Sequence, residues 1–337
     1  MADQRDVIAK LTEQNRLAIV DQVGNLADSV TSNYDTLMGQ AADDLNQYTE
    51  FVFGGNGILN YTDYKRLQLD QTQLKMLSPY LNELKKKQAE DMEAALEKIY
   101  WEAYRRSSWA IAQTTPPATD ITIVHDLTAN PATDFYLQTF LKQQVMVPWK
   151  GAMFSQRLGV ITDKMARNIQ SLTDAGMVNG WSTQDLSLAI REEMGIPLSR
   201  KLVTRPRASA AKMRADMVAR NEMMRSADLA KQYLFKQNAG IVKDEAWQTS
   251  DLGNVCDDCE DNEGELFSNL GERPPLHPRC ACTGIPVLKS WGELLGPEYA
   301  GMKDEGIDEW EMKTRDPVSG KIASVSVQPF DEWMTAQ

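Results

Sequence analysis

The chain has 337 residues, 42% of them hydrophobic and 25% charged, a composition that predicts a folded protein rather than a disordered one. Its net charge of −12, from 48 acidic and 36 basic residues, disfavours a phosphate backbone as partner unless basic residues are concentrated locally. No apolar run of about 18 residues is present to span a bilayer, and the first residues lack the apolar core of a signal peptide, so we expect a cytoplasmic protein of two or more domains.

The N-terminal part of the chain is predicted to be helical. The first 78 residues contain no proline, and their apolar residues recur close to the helical period. A glycine-rich segment, residues 53–61, predicts a turn, and a long amphipathic helix is expected after Pro79. We therefore assign residues 1–113 to an N-terminal helical region. Residues 114–120, which include two adjacent prolines, are predicted to be a linker.

Residues 121–240 are predicted to form a central helical domain. Ser182 and Asp185 have the spacing of a capping box and predict the start of a helix. Another helix is expected over about 208–237, where a following glycine provides a C-terminal stop. His125 has no cysteine or second histidine nearby, and we interpret it as a packing or surface residue.

Glu222 lies within a predicted apolar stripe of the 208–237 helix. At 100° per residue it shares a narrow arc with Ala215, Val218 and Leu229. A carboxylate in a core costs on the order of several kcal/mol unless it is paired or hydrogen bonded. No second carboxylate or histidine lies at a matching spacing, so we favour a structural ion pair over a catalytic acid. A stripe that faces another subunit is a further alternative.

All four cysteines and one of the two histidines lie between residues 255 and 287. Cys256 and Cys259 form C-x-x-C, and Cys280 and Cys282 form C-x-C, with His277 three residues before Cys280. Two pairs of this kind can converge on one ion, and five donors compete for the four tetrahedral positions of zinc. Filling all four with protein donors favours a structural zinc ion over a catalytic one. Two disulfides, a redox pair formed by Cys256 and Cys259, or free thiols are the alternatives, and cytoplasmic synthesis disfavours the disulfides.

The residues between the cysteine pairs are mostly polar and offer little hydrophobic core, so a bound metal would have to stabilise this piece. We predict a zinc-binding Cys/His lobe over residues 241–290, with α+β structure. In the tail, residues 291–337, two alternating segments flank Asp-Pro-Val-Ser-Gly and predict a β-hairpin. The predicted fold class is mainly α, with helical N-terminal and central regions, this small lobe and the hairpin.

The order of several motifs resembles the Mu F-like minor head protein family of tailed bacteriophages over about residues 150–290. The shared elements are a helix with Ala-Arg-x-Glu, a tryptophan before a polar run, C-x-x-C, a glycine before a short strand, and His-Pro-x-Cys-x-Cys. They fall here at Ala219 to Glu222, Trp247, Cys256 to Cys259, Gly264, and His277 to Cys282. Two positions depart from the family pattern, since Asn221 replaces a threonine and Ala281 an arginine. Both changes remove groups that could have seated or paired Glu222.

The resemblance implies a virion protein of the phage head, assembled in the host bacterial cytoplasm and present in few copies. Its expected partners are the phage portal protein and the major capsid or scaffold protein; packaged DNA is met only indirectly, and no membrane is involved. Its expected role is head morphogenesis at the portal vertex, with an influence on DNA packaging or ejection, and no residue is predicted to be catalytic. The alternatives are a metal-dependent nuclease or toxin-like effector packaged in the virion, and a zinc-finger nucleic-acid module, which the acidic charge disfavours.

Overall fold

The computed structural model describes residues 4–53, 69–114, 154–194, 210–250, 255–297, 307–308, 311–315, 322–326 and 329–336. Its helices are α1 (Gln4–Phe53), α2 (Leu69–Thr114), α3 (Phe154–Val178), α4 (Thr183–Glu193), α5 (Ala210–Gln237), α6 (Asp257–Glu260), α7 (Trp291–Leu295) and α8 (Phe330–Ala336). Its strands are β1 (Val242–Gln248), β2 (Thr283–Leu288), β3 (Ile307–Asp308), β4 (Glu311–Arg315) and β5 (Ile322–Ser326). The prediction of a mainly α fold is confirmed.

Two differences from the predicted elements concern the N-terminal helices. Helix α2 was expected after Pro79, but it begins at Leu69 and contains the proline. Leu77 is buried in an apolar core, so packing upstream of the proline offsets the backbone hydrogen bond that proline cannot donate. The predicted turn over 53–61 lies, beyond Phe53, outside the described residues, as do His125 and residues 115–120 of the predicted linker.

The chain forms two compact units. The first comprises residues 1–23, 96–147 and 223–337, and the second residues 24–95 and 148–222. The predicted regions 1–113 and 121–240 each contribute residues to both units, and the five predicted boundaries stay predictions. Among the described helices, none combines the length and the apolar character needed to cross a bilayer.

The second unit is built around an apolar core to which α1, α2, α3 and α4 contribute. The buried Tyr34 hydroxyl of α1 lies 3.0 Å from the Met165 sulfur of α3. Helix α4 starts with the predicted capping box, because the Asp185 amide donates to the Ser182 hydroxyl and the Ser182 amide donates to the Asp185 carboxylate. The burial of apolar side chains from these four helices stabilises the unit.

In the first unit, the C-terminal helix α8 packs on the beginning of α1 and the end of α2. Trp333 is buried with Ile8 and Trp109. The guanidinium of Arg106 lies 4.3 Å from the centre of the Phe330 ring, a cation–π contact. Helix α8 was not predicted, since seven residues are too few to show a helical period.

The predicted C-terminal hairpin is present as the antiparallel pair β4 and β5. Glu311 lies opposite Ser326 and Arg315 opposite Ile322, and β3 adds a short third strand beside β4. The residues that join β4 to β5, 316–321, lie outside the described part of the chain. A separate two-stranded sheet, formed by β1 and β2, belongs to the Cys/His lobe.

Candidate metal centre

Strand β1 is the central extended segment of the Cys/His lobe. On one side it pairs antiparallel with β2, where Trp247 lies opposite Gly284. On the other side, the Trp247 amide donates to the Glu265 carbonyl at 2.8 Å, and the Gly264 amide donates to the Trp247 carbonyl at 2.9 Å. Gly264 has a φ of 77°, a left-handed conformation that favours glycine at the point where the chain returns to β1.

Two tight turns carry the candidate donors. Cys256 precedes the one-turn helix α6, and its carbonyl accepts a hydrogen bond from the Cys259 amide at 3.0 Å. In the second turn the Cys280 amide donates to the His277 carbonyl at 3.1 Å, and Arg279 between them has a φ of 65°. Each turn is short enough to bring its two donors towards one point.

The five predicted donors come together in two overlapping groups that share Cys259. One group is Cys256, Cys259 and His277, the other is Cys259, Cys280 and Cys282, and the ligand atoms within each group lie within 4.8 Å of one another. The His277 Nε2 atom is 3.2 Å from the Cys256 sulfur and 3.4 Å from the Cys259 sulfur. The Cys259 and Cys280 sulfurs are 3.9 Å apart. This cluster can hold a metal ion.

The orientation of His277 suits a metal ligand. Its Nδ1 atom lies 3.0 Å from the carbonyl oxygen of Pro278. If Nδ1 carries the proton and donates it to this carbonyl, the lone pair of Nε2 faces the cysteine sulfurs. Metal-bound histidines are commonly fixed by such a bond from the second ring nitrogen.

The thiols of the cluster are free, and their protonation is linked. The hydrogen bond that Cys282 gives to the Cys280 sulfur lowers the pKa of Cys280 to about 5. Burial raises the pKa of Cys259 to about 12, with the nearby Cys280 charge as a second cause. One thiolate is therefore favoured, and a second beside it is opposed by burial and repulsion. A cation at this point would remove that conflict, because thiolates are the form that binds metals.

A small apolar core surrounds the donors. The Trp247 side chain is fully buried against the cysteines and meets the Phe267 ring edge-on, with 5.7 Å between ring centroids. Leu270 and Leu276 pack at its margin. The residues that form this core are few, which agrees with a lobe that needs a further source of stability.

A second group of residues, which we call the charge network, comprises Asp228, Lys231, Glu245 and Arg273. The Nε and Nη2 atoms of Arg273 each donate to the Asp228 carboxylate at 3.1 Å, and Nη2 also donates to Glu245 at 2.6 Å. The guanidinium lies 4.2 Å from the centre of the Phe267 ring. The network thus ties helix α5 and strand β1 to the loop that precedes His277.

Lys231 is the buried cation of this network. Its ammonium group donates to the Thr283 hydroxyl, directly after Cys282. Burial lowers the pKa of Lys231 to about 8, although the carboxylates of Asp228 and Glu245 act in the opposite direction. Burial likewise raises the pKa of Glu245, against the effect of Arg273.

No sequence pattern indicated the charge network, because Asp228 and Lys231 have the spacing of an ordinary helical surface pair. Glu222 lies on α5 with 5% of its surface exposed. It is not a member of the donor groups found among the described residues. Its predicted ion pair stays a prediction.

Gly284 supports a first prediction, because an added β-carbon there would lie 2.8 Å from Phe267 Cε2 and 3.1 Å from Glu245 Oε2. We expect Gly284→Ala to destabilise the Cys/His lobe by about 1–3 kcal/mol, the usual cost of overpacking a core. Faster hydrogen exchange at the β1 amides would measure this loss. Gly271→Ala is the matched control, since a β-carbon added at Gly271 would have nothing within 4 Å, and equal effects of the two variants would contradict the prediction.

Lys231 supports a second prediction, on pH dependence. Above pH 8 the folded protein releases the Lys231 proton, whereas the unfolded chain keeps it up to about the ordinary lysine pKa of 10.5, so stability rises with pH in this window. We therefore expect the stability of the native protein relative to Lys231→Met to increase by about 2 kcal/mol between pH 7 and pH 10.

Urea denaturation of both proteins at the two pH values measures this difference. Lys236→Met, which removes an exposed lysine from the same helix, is the matched control. A difference between native protein and Lys231→Met that is the same at both pH values would contradict the prediction.

Similarity to a protein of known function would be independent evidence for the role of this cluster. The chain matches no protein-family model, no curated protein sequence and no solved structure. The donors, their surroundings and the order of the sequence motifs are therefore the observations that bear on its function.

Proposed function

We propose that this protein is a minor head protein of a tailed bacteriophage, located in the virion and active in head morphogenesis at the portal vertex. One observation carries the proposal. The C-x-x-C and His-Pro-x-Cys-x-Cys motifs follow one another in an order that resembles the order in the Mu F-like family, and both contribute donors to the same cluster. The proposed partners are the portal protein and the major capsid or scaffold protein, and the proposed consequence extends to DNA packaging or ejection.

We further propose that the ion is zinc. Tetrahedral zinc with Zn–S of about 2.3 Å and Zn–N of about 2.0 Å places two sulfurs about 3.8 Å apart and sulfur and nitrogen about 3.5 Å apart. The Cys259–Cys280 sulfur separation of 3.9 Å and the separation of 3.4 Å between the Cys259 sulfur and His277 Nε2 fit these values closely. A set of thiolates and one imidazole is also the donor chemistry that zinc prefers.

The role that we assign to zinc is structural. Five donors are present for four positions, so no position needs to be left for water or substrate. Cys259, Cys280 and Cys282 are each at most 5% exposed, which keeps solvent away from most of the coordination sphere. We accordingly propose no catalytic residue, and the helical faces together with the Cys/His lobe serve as docking surfaces.

Removal of the metal should unfold the lobe but leave the long helices intact. We expect one zinc per chain by elemental analysis. Treatment with a strong chelator should abolish protection from hydrogen exchange in β1 and β2, with little change in far-ultraviolet circular dichroism, because helices α1 to α5 hold most of the helical residues. A chain that carries no metal, or a lobe that keeps its protection after chelation, would contradict the structural zinc.

Assembly can be tested by expressing the phage head proteins together with this chain. We expect the native chain to sediment with assembled heads in few copies per particle, and Cys259→Ala, which lacks the central donor, to be left out or reduced. Ser290→Ala, a change in the cap of helix α7 away from the donors, is a control that should be incorporated normally. Heads that never contain the native chain would contradict the proposal.

The same preparations test the alternative function, a metal-dependent nuclease. Purified chain is incubated with plasmid DNA and magnesium or manganese. We expect no nicking. Nicking that disappears in His277→Ala would favour the nuclease over the head protein.

A further inference from the structure

The five donors fall into two classes of burial. Cys259, Cys280 and Cys282 are 1%, 2% and 5% exposed, whereas Cys256 and His277 are only half-buried. The three buried sulfurs form one of the two donor groups by themselves. The two half-buried donors therefore stand on the solvent side of the cluster.

This difference decides which donor can leave the ion. A buried thiolate that loses its metal becomes an uncompensated anion in an apolar core, which is a costly state. A half-buried donor that leaves is met by water, so its release costs far less. The donor in excess of four is thus on the solvent side.

Cys256 and His277 are also close enough to compete for one position. The Cys256 sulfur lies 3.2 Å from His277 Nε2, and both atoms belong to the donor group that contains Cys259. The bond from His277 Nδ1 to the Pro278 carbonyl keeps Nε2 directed at this point. Both donors therefore lie beside Cys259, where either one could supply the fourth ligand.

We propose that Cys259, Cys280 and Cys282 hold the ion permanently, and that Cys256 and His277 alternate at its fourth position. The inference rests on the proposed zinc centre and adds that either of its two half-buried donors can complete the coordination of the ion. Whichever of the two is off the ion remains beside it, so the loss of either one is compensated by the other. When His277 is bound, the Cys256 thiol is free to react at the surface while the ion stays in place.

A double-mutant cycle in the full-length chain tests this redundancy, with zinc affinity measured by competition with a chromophoric chelator. Cys256→Ala and His277→Ala should each weaken zinc binding by no more than about tenfold, because the remaining donor takes the fourth position. The double variant should lose far more than the product of the two single effects. Cys259→Ala should abolish zinc binding by itself. Circular dichroism shows whether each variant keeps its helices.

Cobalt substitution gives an independent readout of the donor set. Absorption from thiolate-to-cobalt charge transfer grows with the number of bound thiolates. It should be stronger per bound cobalt in His277→Ala, with four thiolates, than in Cys256→Ala, with three. Equal intensities would overturn the proposal.

The affinity results separate the failure of this inference from failure of the zinc centre. Single effects that multiply in the double variant, or one single variant that binds as weakly as the double, would show a fixed fourth ligand and overturn the redundancy. In both cases the native chain still binds zinc. A native chain without affinity for zinc would overturn the centre itself and the redundancy with it.

Discussion

The Cys/His lobe depends on the convergence of sulfur donors from two separate turns. The thiols of Cys259 and Cys280 lie 3.9 Å apart in a region from which water is largely excluded. Two thiolates at this distance repel each other, and burial opposes the charge of each. Burial and the nearby Cys280 charge accordingly raise the pKa of Cys259. A divalent cation bound between the two thiolates would attract both and offset their mutual repulsion. The proposed ion would therefore contribute to the stability of the fold.

The charge network supplies a second constraint on the same lobe. Arg273 joins Asp228 of α5 to Glu245 of β1, and Lys231 of α5 reaches Thr283 at the start of β2. Buried ion pairs of this kind add little net stability, because desolvation offsets most of the attraction. Their hydrogen bonds are directional, however, and they fix where the sheet lies on the helix. The close approach of Phe267 to Gly284 shows how little space this arrangement leaves.

These two constraints suit a part of an assembly. A lobe held by the proposed ion and by paired charges would keep its shape without a large core, so its surface residues could serve as the contacts that the proposed function requires. Helix α6 illustrates this: Cys259 points inward, while Asp257, Asp258 and Glu260 are exposed. A redundant fourth ligand would keep the lobe folded even when its one accessible thiol reacts.

The sequence by itself determined the elements whose signals are local. Apolar periodicity indicated the helices, the Ser182 and Asp185 spacing located the start of α4, and alternation around Asp-Pro-Val-Ser-Gly indicated the hairpin. The spacing of Cys256, Cys259, Cys280 and Cys282 identified the candidate donors. Each of these patterns depends on residues near one another in the chain, so no knowledge of long-range packing was needed.

Only the tertiary structure decided what depends on contacts between distant segments. The start of α2 upstream of Pro79 follows from the burial of Leu77, and α8 exists as an ordered element through its contacts with α1 and α2. The pairing of Arg273 with Asp228 joins residues that no sequence pattern connects. The burial that separates Cys256 from the other cysteines is likewise a property of packing. Side-chain spacing predicts which groups can meet, but solvent exclusion and close contact determine what those groups do.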